Sequence, residues 1–356
     1  MPLLPWNPIA AMAARRPLSQ FRRNAISSAG QGATRQDRVL QFVTNEAAIP
    51  VERGTGGQGS GGRGPAPERP RRPRELQDPL NHYLYHPLAW QLARRLAHTP
   101  ITPNMVSVCG AAMVIAAGAA YAGLSYPLSA MLGMLLHMGW HVVDGADGDL
   151  ARLTGRSSPI GEMVDGLCDY LSHVVLYLVL GWVLTRIGGL FGGWHAWALI
   201  VFAGISHAVQ ANHVEVQRRQ FQYWVFGTPW IRNSHDAQDS ATGKSVFGKL
   251  VSAYLGVATG MTPYALQVDD KVAQAKGDPA ELERIARIAR EETQPLLLLC
   301  KILGPNPRAV VLGLSMFAGT PAYYMVYQSV VLNLLLVWSV NRHNAAAKRI
   351  AARIAG

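Results

Sequence analysis

The chain has 356 residues, of which 15% are charged and 49% hydrophobic, and a net charge of +11. That charge content is lean for a soluble globular protein. The three cysteines, Cys109, Cys168 and Cys300, stand far apart without a C-x-x-C pair, which argues against a zinc site or a disulfide framework.

Residues 1–103 hold 14 Arg, no Lys and 6 acids, so most of the excess positive charge precedes the first apolar segment. Beside membrane spans, a basic front is expected to meet anionic lipid or cytoplasm, and no nucleic acid. Residues 1–75 read as a disordered tail rich in Arg, Gly and Pro. Such a stretch buries too little apolar surface to offset its ordering entropy. Residues 76–103 read as an interfacial juxtamembrane helix. Leu80, Leu84, Leu88, Leu92 and Leu96 recur every four residues, with Tyr83, Tyr85 and Trp90 between them and Arg94 and Arg95 near the end. The prolines at Pro100 and Pro103 stop it, because the residue before a proline avoids the α region.

Apolar segments follow at 105–123, 128–152, 160–184, 194–214, 296–319 and 322–340. A span needs about 20 apolar residues, and the segment at 296–319 is interrupted by Gly304-Pro305-Asn306-Pro307. The predicted fold is all-α, a polytopic membrane helix bundle of about six transmembrane helices. Its transmembrane domain runs over 104–345, holds a cytoplasmic insert at 216–295, and is followed by a basic tail at 346–356. The insert opens with the aromatic cluster Phe221, Tyr223, Trp224, Phe226 and Trp230, and Phe247, Leu250, Val251 and Tyr254 then repeat at helical spacing. Asp278-Pro279-Ala280-Glu281 reads as the cap and first turn of another helix. The loops at 123–127 and 320–321 carry no charge, whereas the opposite side receives the Arg-rich front, the insert and the basic tail. By the positive-inside rule both termini and the 144–169 stretch face the cytoplasm.

That stretch carries the chemistry. It reads Asp144-x-x-Asp147-Gly148-x-x-Ala151-Arg152, then eight residues, then Gly161-x-x-x-Asp165-x-x-x-Asp169. Carboxylates within apolar helices are costly and usually functional. At about 100° per residue, Asp144 and Asp147 share a helix face, as do Asp165 and Asp169 one helix later. Four carboxylates converging across one helix pair suit Mg²⁺ or Mn²⁺, which prefer oxygen ligands. The small Gly148 and Gly161 allow close approach of a ligand or facing backbone, and Arg152 offers a planar fork for phosphate.

This pattern resembles the signature of the CDP-alcohol phosphotransferase (CDP-alcohol phosphatidyltransferase) family, with all eight positions at the family's spacing. The resemblance implies an integral membrane enzyme that transfers a substituted phosphate from a CDP-linked donor to an alcohol and releases CMP. CDP-diacylglycerol with a small polar acceptor is the commonest bacterial arrangement, which places the chain in a bacterial inner membrane in phospholipid biosynthesis. It assigns Asp144, Asp147, Asp165 and Asp169 to metal binding, with two ions expected. It further assigns Asp169 as general base, and Gly148, Ala151, Arg152 and Gly161 to the CDP donor. Family members are often dimers, so a homodimer is also an expectation of the resemblance.

Arg218, Arg219, Lys301 and Arg308 are candidate acceptor-binding cations, although the positive-inside rule alone would place them near span ends. Asp149 lies off the motif's face and is expected to be solvated or paired with Arg. His137, His141 and His173 are expected as hydrogen-bonded helix histidines before ligands, and Asn212, His213 and Glu215 reach the same zone. Two other functions compete. An intramembrane prenyltransferase also uses Asp-rich helices on a diphosphate but releases pyrophosphate, and a transporter of ions or protons would use buried aspartates without turnover.

Overall fold

The computed structural model describes residues 73–189, 192–228, 256 and 260–356. Among these residues the protein is all-helical, with no strand. The expected features at 1–72, at Trp230 and from Phe247 to Tyr254 lie outside the described residues.

A π-helical turn at Asn81–Tyr85 leads into α1 (His86–Leu96). Four long helices follow: α2 (Pro103–Gly123), α3 (Leu128–Thr154), α4 (Pro159–Ile187) and α5 (Trp194–Phe226). Within the stretch expected as the insert come α6 (Ala265–Gln274) and α7 (Pro279–Thr293), and after it α8 (Leu297–Ile302), α9 (Pro305–Phe317) and α10 (Ala322–Val326). A second π-helical turn, Tyr327–Val331, joins α10 to α11 (Leu332–Ala355).

Local chemistry fixes the ends. Thr102 caps α2, its hydroxyl accepting from the Met105 amide at 3.4 Å, with Pro103 opening the helix. Gly155 takes a left-handed conformation (φ 65°) to close α3, and Ser158 then caps α4 through the Gly161 amide at 3.0 Å. This four-residue link sets the two halves of the aspartate motif on adjoining helices. Asp278 caps α7, accepting from the Ala280 and Glu281 amides at 3.1 and 3.2 Å.

Among the described residues four segments are long and apolar enough to cross a membrane: Pro103–Gly123, Gly161–Ile187, Pro279–Phe317 and Ala322–Ala355. This is an integral membrane protein by the length and composition of these helices. The other two expected spans, α3 and α5, are helices of 27 and 33 residues and are long enough, but they are not among the four. Their polar residues account for this. His137, His141 and the aspartates on α3, and Ser206, Gln210, Asn212 and His213 on α5, are buried against other helices. The expected interruption of the fifth segment is present, since Gly304 separates α8 from α9.

The main apolar core lies between α2, α3, α4, α5, α9 and α10, and includes Val114, Tyr121, Trp140, Leu180 and Met325. A second core forms where α6 and α7 pack on the end of α5 and on α11, through Trp224, Val268, Ile285, Ala347 and Ile350. Residues 346–356, expected as a basic tail, instead continue α11 as far as Ala355. Ala347 and Ile350 give this stretch an apolar face, and Arg349 and Arg353 bond Glu292 and Glu291 at 2.7 Å. Near the front, the leucine stripe is not the buried face of α1. Ala89 and Ala93 are wholly buried against Ala146 and Leu150 of α3, whereas Leu84 and Leu88 are exposed. Small residues let helix backbones approach, which leaves Leu84 and Leu88 outward, while Leu92 and Leu96 pack partly against the same cluster.

Candidate active site

The site is built where the C-terminal half of α3 meets the N-terminal half of α4, with the start of α2 alongside. Asp144 and Asp147 are buried on α3, and Asp165 faces them from α4. One carboxylate oxygen from each of these three lies within 4.8 Å of the others. Three oxygen donors this close, two of them on buried residues and one on a half-buried residue, fit a divalent cation with hard-ligand preference.

Asp169 stands beside this triple, one turn beyond Asp165. Its Oδ1 accepts from the Trp140 indole at 3.2 Å, and its carbonyl is met by His173 Nδ1 at 2.8 Å and by Ser172 Oγ at 3.1 Å. A carbonyl can only accept, so His173 carries its proton on Nδ1 in this contact. Asp147 Oδ2 accepts from Ser107 Oγ of α2 at 2.7 Å, and its Oδ1 faces the Gly148 amide.

Ser107 and Trp140 orient two of the four aspartates, and nothing in their local pattern singles them out. Ser107 is one of several small residues on α2. Trp140 sits one turn before Asp144, and that register is the only signal that could have found it.

The positions assigned to the donor line the rim. Arg152 pairs with the buried Asp149, so Asp149 is an ion-pair partner and not a solvated charge. A Cβ at Gly148 would stand 3.5 Å from the Arg152 guanidinium, which therefore lies across this glycine. Ala151 is half-buried on α3. A Cβ at Gly161 would come within 3.2 Å of Ser158 Oγ and 3.4 Å of Asn104 Oδ1, so α4 starts tight against the start of α2.

An aromatic wall backs the carboxylates. Trp140 packs on His141 and His173 at 4.4 and 4.6 Å between ring centres, and Tyr85 stacks on His141 at 5.0 Å. Burial, with Asp78 nearby, pushes the Tyr85 phenol up to about 12. Among the described residues, the buried His137 Nδ1 and His141 Nε2 find no partner.

The four candidate acceptor cations are separated in kind. Arg218 bonds Glu215 through two nitrogens at 2.9 and 2.6 Å, and Arg219 bonds the same carboxylate at 2.7 Å. Lys301 is half-buried on α8. Arg308 is buried on α9 and donates to Gln210 Oε1 of α5 at 3.1 Å. Asn212 and His213 are buried on α5, and His213 bonds Ser339 Oγ at 2.9 Å.

Comparison with curated proteins found no match. Comparison with protein families found one, CDP-alcohol phosphatidyltransferase, over residues 100–232. The matched stretch contains α2, α3, α4 and α5 and hence all four aspartates, Arg152 and both glycines. It stops short of α6 to α11. The carboxylates gathered on adjoining helices thus lie inside the stretch, residues 100–232, that is similar to the CDP-alcohol phosphatidyltransferase family model.

Proposed function

We propose that the protein transfers a phosphatidyl group from CDP-diacylglycerol to an alcohol acceptor and releases CMP, on the cytoplasmic face of a membrane. The observation that carries this reading is the triple Asp144, Asp147 and Asp165, with ligand oxygens within 4.8 Å, inside the matched stretch. These residues, with Asp169 adjoining them, would hold Mg²⁺ or Mn²⁺. Such an ion, when bound, neutralises diphosphate charge and makes the phosphorus more electrophilic.

In the transfer, the acceptor oxygen bonds to the phosphorus distal to cytidine. The bond from that phosphorus to the bridging oxygen breaks, and CMP leaves with the electron pair. The acceptor's hydroxyl proton passes to the Asp169 carboxylate, which Trp140 holds in position. Arg152, braced by Asp149, contacts the donor's phosphates, and Gly148, Ala151 and Gly161 admit the nucleotide at the rim.

The test is incubation of the purified protein with CDP-diacylglycerol, Mg²⁺ or Mn²⁺ and a panel of alcohols, following CMP. CMP release that needs both metal and an alcohol is expected, and Asp169→Asn should abolish it in a protein that still folds. Pyrophosphate released from a prenyl diphosphate in its place would refute the assignment.

A further inference from the structure

Where the front of the chain meets the start of α9, two buried amides and a phenol leave their oxygens unanswered. Asp78 acts as a clamp on both amides. Its Oδ1 accepts from the Asn81 backbone amide at 3.1 Å and from Asn306 Nδ2 at 2.9 Å. Its Oδ2 accepts from Asn81 Nδ2 at 2.7 Å and from the same Asn306 nitrogen at 2.8 Å. Only the NH₂ end of an amide can donate to a carboxylate, so Asn81 and Asn306 both turn their oxygens away from Asp78.

Asn81 is 5% exposed and Asn306 2%, and among the described residues neither Oδ1 has a hydrogen-bond partner. The hydroxyl of Tyr85, itself 2% exposed, is in the same condition. Tyr85 closes the π-helical turn that Asn81 opens, and such turns cluster at functional sites. Burial and the nearby charge of Asp78 push its phenol up to about 12, so the hydroxyl stays neutral. A buried polar group left unpaired is costly, and three of them around one carboxylate indicate a ligand.

Charge selects that ligand. All four bonds to Asp78 come from neutral nitrogens, and among the described residues no Lys or Arg pairs with it. The cluster therefore offers one negative charge and three neutral oxygens. The aspartate triple, with three carboxylates, suits a divalent ion; a single carboxylate balances a monovalent one, whose hydration shell carbonyl oxygens can replace. A neutral donor would leave the charge of Asp78 unbalanced.

We propose that the Asn81, Tyr85 and Asn306 oxygens bind a monovalent alkali cation, with Asp78 behind the amides as its counter-charge. The ion fastens the front of the chain to α9 across 228 positions. It also steadies the wall behind the carboxylates. Tyr85 stacks on His141 at 5.0 Å, His141 packs on Trp140 at 4.4 Å, and the Trp140 indole donates to Asp169 at 3.2 Å. The consequence for turnover rests on the transferase reading above; the cation site itself does not.

The test uses the full chain in detergent, with EDTA as its N-methylglucamine salt. Thermal unfolding is followed as KCl or NaCl replaces N-methylglucamine chloride at constant ionic strength. The wild type should unfold at a higher temperature in K⁺ or in Na⁺, with a saturating dependence, and the two titrations identify the ion. Tyr85→Phe keeps the ring against His141 and removes one oxygen, so it should need about tenfold more of that ion for half the effect. Asn306→Leu keeps the shape and should lose the effect, and Tyr85→Phe carries the test if Asn306→Leu fails to fold. A thermal shift on adding Mn²⁺ reports an intact aspartate cluster in each variant. A wild type equally stable in all three salts, or variants that respond as it does, would overturn the proposal.

CMP release in saturating Mn²⁺ is then measured in the same three salts. The ion that stabilises the wild type should raise it, with the same displacement in Tyr85→Phe. Release indifferent to that ion overturns the bracing of the wall. A stabilising ion without CMP from any acceptor upholds the site and sinks the transferase reading.

Discussion

Replacing Asp144 by asparagine keeps the side chain's shape and removes one charge from a crowded set. Oxygens of Asp144, Asp147 and Asp165 lie within 4.8 Å of one another. At that separation two ionised carboxylates repel by about 3.5 kcal/mol at an effective dielectric constant of about 20. Asp144 belongs to two of the three pairs, so its charge contributes up to about 7 kcal/mol of repulsion when no cation is bound. Water and counter-ions relieve most of this, and a net stabilisation of about 1–3 kcal/mol is expected for the metal-free variant. The bound cation reverses the order. At about 100 times its dissociation constant a metal stabilises the wild type by about 2.7 kcal/mol, and the variant, short of one ligand, gains less. The assay is thermal unfolding of both proteins in detergent, in EDTA and then in Mn²⁺, alongside CMP release. Asp144→Asn should unfold at a higher temperature than wild type in EDTA, respond less to Mn²⁺ and release no CMP. A variant less stable than wild type in EDTA, with an undiminished Mn²⁺ response, would show that these carboxylates do not form a cation site.

Two further outcomes test the packing that positions the site. A Cβ at Gly133 would fall 2.3 Å from Cε1 of the buried Tyr121 ring, so Gly133→Ala should cost about 1–3 kcal/mol of stability. At Gly313 the clash is at 2.5 Å with Met134, whose flexible chain can move aside, so Gly313→Ala should unfold closer to wild type in the same thermal assay. Asp278→Ala removes two capping bonds from α7, at 3.1 and 3.2 Å, and should cost about 1 kcal/mol. Faster amide exchange across the first turn of α7, with CMP release unchanged, is the expected reading.

Much of this protein is written in local chemistry. The cap at Asp278 and the break at Gly304 each act within one helical turn, so spacing alone reveals them. The i, i+3 and i, i+4 aspartates likewise state which carboxylates share a face. The leucines at 84 and 88 illustrate the limit. Periodicity identifies a stripe but not its neighbour, and here Ala89 and Ala93 fit against α3 more closely than leucine could. Residues 346–356 show the same limit, because their charges dominate the composition while Ala347 and Ile350 dominate the packing.

The sequence by itself determined that the described residues are helical, that much of the chain suits a membrane, and which of the aspartates at 144, 147, 165 and 169 share a helix face. Those properties follow from hydropathy, helical period and charge, which neighbouring residues carry between them. Only the tertiary structure decided what surrounds each charge. It set Ser107 on Asp147 across 40 positions and Trp140 on Asp169 across 29. It also gave Arg218 and Arg219 their carboxylate while leaving Arg308 without one among the described residues. Four basic residues that look alike in sequence differ in this way because a charge's role depends on its burial and partners, and partners distant in the chain are fixed by how the helices pack.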